Sequence, residues 1–286
     1  MKNKTAFFTV VYPGIEDYFK DFAHSIQQQT NKEFDLIIFN ENNVRIDFAT
    51  LLSGIKYKVV PTETATPIII REQGFTYLRK EQYEYVIFGD ADDWFSDNRV
   101  KVCLQYLQKF DLVINDVDIV TDTEQLIAHY FSQRIANRSL ITIPMVQQGN
   151  FMGLSAAAIR LESLPEFITP CGVVALDWYM FTRMIINGSK ACFVNETLTY
   201  YRQYDTNLVG MKEMTLASLK KEIAVKSGHY GALAIYSDIF AQLHKQFKYL
   251  NTLITSDKEL NILYSKIDKL NLDFPFWWEK TKNGQL

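Results

Sequence analysis

Between Thr5 and Phe88, short runs of β-branched and aromatic residues alternate with stretches of helical periodicity, and few architectures accept that order. Thr5 to Val11, Phe34 to Phe39, Tyr57 to Val60 and Tyr85 to Phe88 have the composition of strands. Ile15, Tyr18, Phe19, Phe22 and Ile26 recur at helical spacing, which predicts an amphipathic helix between the first two strands. Ile68 to Lys80 reads as a helix leading into the fourth. Such alternation builds an α/β domain with a mainly parallel sheet flanked by helices. Sheets of this kind bind ligands beyond the carboxyl ends of their strands. Two polar groups fall there: Asn40-Glu41-Asn42-Asn43 and Asp90-Ala91-Asp92-Asp93.

Past Asp111 the pattern loosens. Leu112 to Val120 and Leu154 to Ile159 read as strands and Glu124 to Gln133 as a helix. Leu176 to Ile186 reads as a helix closed by Asn187-Gly188. Phe193 to Tyr201 is extended. From about Met211 the chain is helical, with Leu216, Leu219 and Ile223, then Ile235, Ile239 and Leu243, in register on one face. The expected division is therefore residues 1–210, an α/β domain, and residues 211–286, a C-terminal helical segment.

The whole chain has 286 residues, 22% of them charged, with a formal net charge of -3. That balance gives no general affinity for nucleic acid or anionic membrane. Cys103, Cys171 and Cys192 are too few and too scattered for a disulfide framework or a zinc knuckle, which points to a reducing compartment. The apolar run near the N-terminus meets Pro13 and Gly14 too early for a signal peptide or a membrane span. A cytoplasmic location is expected, with the inner face of the membrane as a peripheral alternative. Phe274-Pro275-Phe276-Trp277-Trp278 beside Lys280 could touch that interface. The run is short, and packing against the protein or a homodimer contact through the C-terminal helices is the favoured reading.

Three carboxylates at Asp90, Asp92 and Asp93 repel one another unless a cation neutralises them. Oxygen ligands at this density suit Mg2+ or Mn2+, which can also bridge nucleotide phosphates. The plain alternative is a solvated acidic turn with one aspartate capping the next helix. The position directly after a buried strand favours the metal.

In order along the chain, Thr9-Val10-Val11-Tyr12-Pro13, Ile37-Ile38-Phe39-Asn40-Glu41-Asn42, Arg71-Glu72-Gln73-Gly74, Tyr85 to Asp93, Leu176-Asp177-Trp178-Tyr179 and Tyr201-Arg202-Gln203-Tyr204 with Asn207 resemble the motifs of inverting family 2 glycosyltransferases of the GT-A fold. The resemblance covers about residues 5 to 210. It implies a Rossmann-like nucleotide-sugar domain and transfer of a sugar, with a UDP-sugar as donor, to a saccharide or lipid-linked acceptor. It implies donor contacts from Pro13, Asn40, Glu41, Arg71, Gly74, Asp90, Asp92 and Arg202. It also implies Mn2+ or Mg2+ held by Asp92 and Asp90, and Asp177 as general base. Gly149, Asn150 and Trp178 are the expected acceptor contacts.

Read without the resemblance, Asp177 is better taken as an acidic residue favoured in the first turn of a helix. Arg71 and Arg202 are equally surface cations, and Gly74 equally a packing glycine. The sequence also departs from the family pattern. Asn40 stands where an aspartate is usual, Leu176 where a glutamate precedes the base, and Tyr204 where many relatives carry a histidine. Two rival functions follow. A nucleotidyltransferase would show a Gly-rich basic loop after the first strand, which Tyr12-Pro13-Gly14-Ile15-Glu16 lacks. A non-catalytic, sugar-binding family member would fit the altered positions.

Overall fold

A computed structural model describes residues 3–63, 65–121, 123–203, 215–254, 256–267 and 273–281. The chain forms two compact units: Met1–Leu140 with Gly153–Glu166 and Ser189–Tyr204, and Ile141–Met152 with Phe167–Gly188 and Asp205–Leu286.

The first unit is built on strands β1 (Thr5–Val11), β2 (Asp35–Glu41), β3 (Tyr57–Thr62), β4 (Tyr85–Phe88), β5 (Trp94–Phe95), β6 (Leu112–Val120), β7 (Gln125–Ile127), β8 (Ala157–Arg160) and β9 (Ala191–Arg202). Their order is β3-β2-β1-β4-β8-β6-β9-β5, with β7 beside β6. Pairing is parallel for β3-β2, β2-β1, β1-β4 and β6-β9, and antiparallel around β8, β5 and β7. Strands β1, β2 and β6 are buried along nearly their whole length, as expected of a sheet covered on both faces, whereas β3 at the edge is not.

Helix α1 (Phe19–Gln28) lays Phe19, Phe22, Ala23 and Ile26 on that sheet. Phe7 of β1 meets the rings of Phe22, Phe34 and Phe95 at centroid distances of 5.9, 5.9 and 5.4 Å. A four-residue helix, α2 (Phe48–Leu51), precedes β3, and α3 (Pro67–Lys80) follows it. Thr66 accepts the Ile69 N–H, and Pro67 opens α3 where no N–H is needed. Helix α4 (Arg99–Leu107) buries Val100, Val102, Cys103 and Leu107.

The helix expected over residues 124–133 is not formed; β7 and a 3-10 turn at Phe131–Gln133 replace it. Two carboxylates on β6 take the backbone donors that a helix would have used internally. Asp118 accepts the His129 N–H at 2.7 Å, and Asp116 accepts those of Phe131 and Ser132 at 2.9 and 3.3 Å. Tertiary hydrogen bonding overrides propensity here. The strand expected from Leu154 begins later, at Ala157, after a 3-10 turn.

The second unit is helical: α5 (Ile143–Val146), α6 (Leu176–Ile186), α7 (Leu216–Leu233), α8 (Asp238–Leu253) and α9 (Asp257–Ile267). The boundary expected near Gly210 lies outside the described residues. Residues 141–152 and 167–188 group with the C-terminal helices. The cause is packing: the Trp178 indole of α6 stacks on His229 of α7 at 3.7 Å and 14°. Its Nε1 donates to the Val146 carbonyl at 2.7 Å, and the Tyr230 hydroxyl donates to Gln147.

The aromatic segment near the C-terminus packs within this unit. Phe276 is buried and lies 4.9 Å from the Phe151 ring. Asn150 and Trp277 exchange backbone hydrogen bonds at 2.7 and 3.0 Å. Glu222 of α7 accepts both the N–H and the hydroxyl of Thr281, at 2.6 and 2.7 Å, and the buried Lys226 ammonium donates to the Thr281 carbonyl. Among the described residues, no helix is long and apolar enough to cross a membrane.

Candidate active site

Three neighbouring parallel strands, β2, β1 and β4, end at one edge of the first unit. Exposed Pro13 follows β1, and Asn40 and Glu41 close β2. The acidic turn follows β4. Gly89 begins that turn because nothing larger fits: a Cβ there would lie 2.6 Å from Phe95 Cζ and 2.8 Å from Phe7 Cε1.

The three aspartates have separate environments. Asp90 is partly exposed; it pairs with Arg71 of α3 at 3.1 Å, and its N–H donates to the Ser155 hydroxyl at 3.2 Å. The Asp92 carboxylate accepts the Tyr12 hydroxyl at 3.4 Å. Asp93 is 1% exposed. Its Oδ1 accepts the Arg202 N–H at 2.9 Å, and its Oδ2 has no hydrogen-bond partner. Burial, reinforced by the charges of Asp92 and Asp90, holds the Asp93 carboxyl well above the usual carboxylate range. Helix α4 has Asn98, not Asp93, at its N-cap. Asp93 is thus buried in the turn, whereas Asp90 and Asp92 are partly exposed.

Arg202 ends β9 and is 4% exposed. Its guanidinium lies 4.9 Å from the Tyr18 ring and 4.7 Å from Trp94, donates from Nε to the Asp92 carbonyl at 2.9 Å, and pairs with Asp21 of α1. Besides the diphosphate contact expected of it, this residue has a positioning role. Its charge is matched by Asp21, and it fixes the backbone of the acidic turn.

Asn40 also has a local task. Its side chain accepts the Val44 N–H at 2.8 Å and donates to the Val44 carbonyl at 3.0 Å, closing a turn in which Asn42 and Asn43 have φ of 54° and 52°. Asparagine tolerates that left-handed conformation better than most residues. With both ends of the amide occupied, Asn40 shapes the turn, and the half-buried Glu41 is the side chain beside it at the strand end. Gly74 of α3 is buried, and a Cβ there would come within 2.4 Å of Phe8 Cζ, so close packing on β1 accounts for it.

The remaining expected residues belong to the second unit. Asp177 is in the first turn of α6, and its Oδ1 accepts the Trp178 N–H at 2.7 Å. Trp178 is wholly buried in the stack described above. A Cβ on Gly149 would lie 2.7 Å from the Glu279 Cβ, and the buried Asn150 side chain accepts the Met152 N–H at 2.9 Å. Trp178, Gly149 and Asn150 are engaged in packing within the second unit, and Gly149 and Asn150 lie against the C-terminal segment. Tyr204 and Asn207 lie outside the described residues.

One supporting residue is not legible in the sequence. Arg99 of α4 is fully buried and donates to the carbonyls of Phe88 and Ser155, both at 2.7 Å, and to the Asn115 side chain at 3.0 Å. Its guanidinium lies 4.3 Å from the Phe95 ring, and burial lowers its pKa to about 10. It anchors the last residue of β4 directly ahead of the acidic turn. An arginine at the start of an amphipathic helix looks like a surface residue, and no spacing signal marks it.

Among the described residues, no three His, Cys, Asp or Glu side chains converge to hold a metal ion unaided. One or two carboxylates completed by phosphate oxygens and water is, however, the usual setting of Mg2+ at nucleotide sites. Asp92 with Asp90 fits that donor set.

A model of glycosyl transferase family 2 matches residues 7–161, more than half of the chain. The chain belongs to glycosyl transferase family 2. This family 2 chain matches no curated protein in sequence. Among solved structures it is similar to Staphylococcus aureus TarS, residues 1–349, in complex with UDP-GlcNAc. That match has 14% identity, a TM-score of 0.57, and coverage of 94% of this chain and 80% of TarS. It is also similar to the mannosyltransferase PcManGT from Pyrobaculum calidifontis in complex with GDP-Man and Mn2+, at 13% identity, a TM-score of 0.55, and coverage of 94% and 81%. At such identities the likeness shows the GT-A fold.

Proposed function

We propose that the chain transfers a glycosyl group from a nucleoside diphosphate sugar to a hydroxyl of a saccharide or lipid-linked acceptor, with inversion at the anomeric carbon. The observation that carries this reading is the sorting of the acidic turn: Asp93 is buried and structural, while Asp90 and Asp92 remain at the strand edge beside Arg71.

In a direct displacement, the acceptor oxygen loses its proton, attacks the anomeric carbon and expels the nucleoside diphosphate. Asp177 is the proposed base. A divalent Mn2+ or Mg2+, when bound by Asp92 with Asp90 and the diphosphate, supplies positive charge against the leaving group. Arg71 is placed to exchange Asp90 for a phosphate oxygen, a partner that suits a guanidinium. Arg202, Arg99 and Tyr12 hold the turn in shape, so no reorganisation is needed as charge develops. The uridine donor implied by the family resemblance is retained, with recognition of the base assigned to Glu41 and the turn closed by Asn40. The UDP-GlcNAc and GDP-Man complexes of the two similar structures support a nucleotide-sugar donor. Three free cysteines, two of them buried, suit a cytoplasmic location.

A thermal-shift series with UDP, GDP, CDP and dTDP in manganese tests the reading. Ligand at about a hundred times its dissociation constant stabilises the folded state by about 2.7 kcal/mol. UDP is expected to give the largest shift, dependent on the metal. No shift with any nucleoside diphosphate would contradict the proposal.

A further inference from the structure

The first unit carries a cleft of about 830 Å³ that none of Asp90, Asp92, Asp93 or Arg71 lines. That volume is within the range of about 300–1,000 Å³ usual for small-molecule sites. One part of its lining is aromatic. Trp94 and Tyr200 are cross-strand neighbours on β5 and β9, and their rings stack at 5.5 Å and 13°. Facing groups come from α1, where His24 and Gln28 are one helical turn apart on one face, and from Asp97 and Glu124. The side chains of these four residues have no hydrogen-bond partner among the described residues. The charge of the lining is acidic, since Asp21 already neutralises Arg202 and Asp97 and Glu124 remain.

Each feature narrows the ligand. Net negative charge disfavours phosphates and carboxylates, so a second nucleotide does not fit. Trp94 is stacked on Tyr200 and lies 4.7 Å from the Arg202 guanidinium, so Tyr200 at the end of that stack offers contact to an apolar ring face, and imidazole, amide and carboxylate groups supply both donors and acceptors. A polyhydroxylated ring with apolar C–H faces and no charge matches all of these. We propose that the cleft is a second saccharide site, which holds part of a neutral oligosaccharide apart from the donor turn. This inference rests on the glycosyltransferase reading only for why such a glycan should be present. A glycan gripped there stays at high effective concentration near the enzyme between encounters. The cleft also adjoins the donor turn through one residue, because Arg202 lines it and binds the Asp92 carbonyl.

The test is calorimetric titration of maltotriose, cellotriose, chitotriose and mannotriose into the full chain, with and without saturating UDP and manganese. At least one trisaccharide should bind at millimolar concentration or below, with affinity retained when UDP is present. Tyr200→Leu, and separately the double variant His24→Ala/Gln28→Ala, should each weaken that binding about tenfold or more. The double variant changes only exposed α1 side chains, so it decides the matter if Tyr200→Leu fails to fold. Three results overturn the inference: no trisaccharide bound, binding abolished by UDP, or binding unchanged in the double variant. UDP titrated into the same samples reads the donor site separately. A chain that binds UDP but no trisaccharide sinks the cleft alone, and one that binds a trisaccharide but no nucleotide sinks the proposed function alone.

Discussion

Replacing Arg202 by methionine should loosen the acidic turn without removing any carboxylate. The arginine is buried, donates from Nε to the Asp92 carbonyl, and pairs with Asp21 while lying between Tyr18 and Trp94. Its backbone N–H bond to Asp93 survives the substitution. The hydrogen bond from a charged group to the Asp92 carbonyl is worth about 1.5–3 kcal/mol. The aromatic contacts add about 0.5–2 kcal/mol. The Asp21 pair counts for little, since Asp21 is more than half exposed. Methionine recovers part of the buried volume, so the net loss should be about 2–3 kcal/mol. In urea, the unfolding midpoint should fall with little change in slope, because the surface exposed on unfolding is the same. Metal-dependent UDP binding should weaken in parallel, since the Asp92 backbone loses its tether. A variant within about 0.5 kcal/mol of wild type, with unaltered UDP affinity, would refute the positioning role.

Three further outcomes are expected. Gly74→Ala should destabilise by about 1–3 kcal/mol, the usual cost of overpacking, because its Cβ would sit 2.4 Å from the Phe8 ring; denaturant melts check this. Asp177→Asn should lower turnover by about a hundredfold to ten-thousandfold while leaving UDP affinity unchanged, as read by initial rates and calorimetry once an acceptor is in hand. His229 is fully buried, and desolvation, aided by Lys226, holds its pKa well below 6.5. The unfolded chain therefore binds a proton that the folded chain refuses. Stability is full above pH 6.5 and falls by up to about 1.4 kcal/mol per pH unit below it, a slope that His229→Phe should reduce in urea melts at pH 5 and 7.

The repeating strand–helix order and the Asp turn were legible because period and composition report directly on burial. Helices α3 and α6 lie within a residue of their expected bounds. The β7 region was not legible, since its conformation is set by Asp116 and Asp118, distant acceptors that leave no periodic trace. The same limit explains the site. Asp90 and Asp92 stand out by their position after β4, whereas the work of Arg202, Asn40 and Arg99 is defined by partners far along the chain or by a local turn. Trp178 is an expected acceptor contact by its place beside Asp177, and its burial on His229 depends on a helix far along the chain. The packing of α6 on α7 was not legible for the same reason, because the contacts that join them span a long stretch of sequence.

The central claim is that Asp92 holds a divalent cation jointly with the donor diphosphate. Isothermal titration of UDP into wild-type protein and Asp92→Asn, each with manganese and with chelator, tests it most directly. The account predicts tight binding only for wild type in manganese, with Asp92→Asn weakened at least tenfold and folded normally by circular dichroism. Equal, manganese-dependent affinity in the two proteins would contradict it.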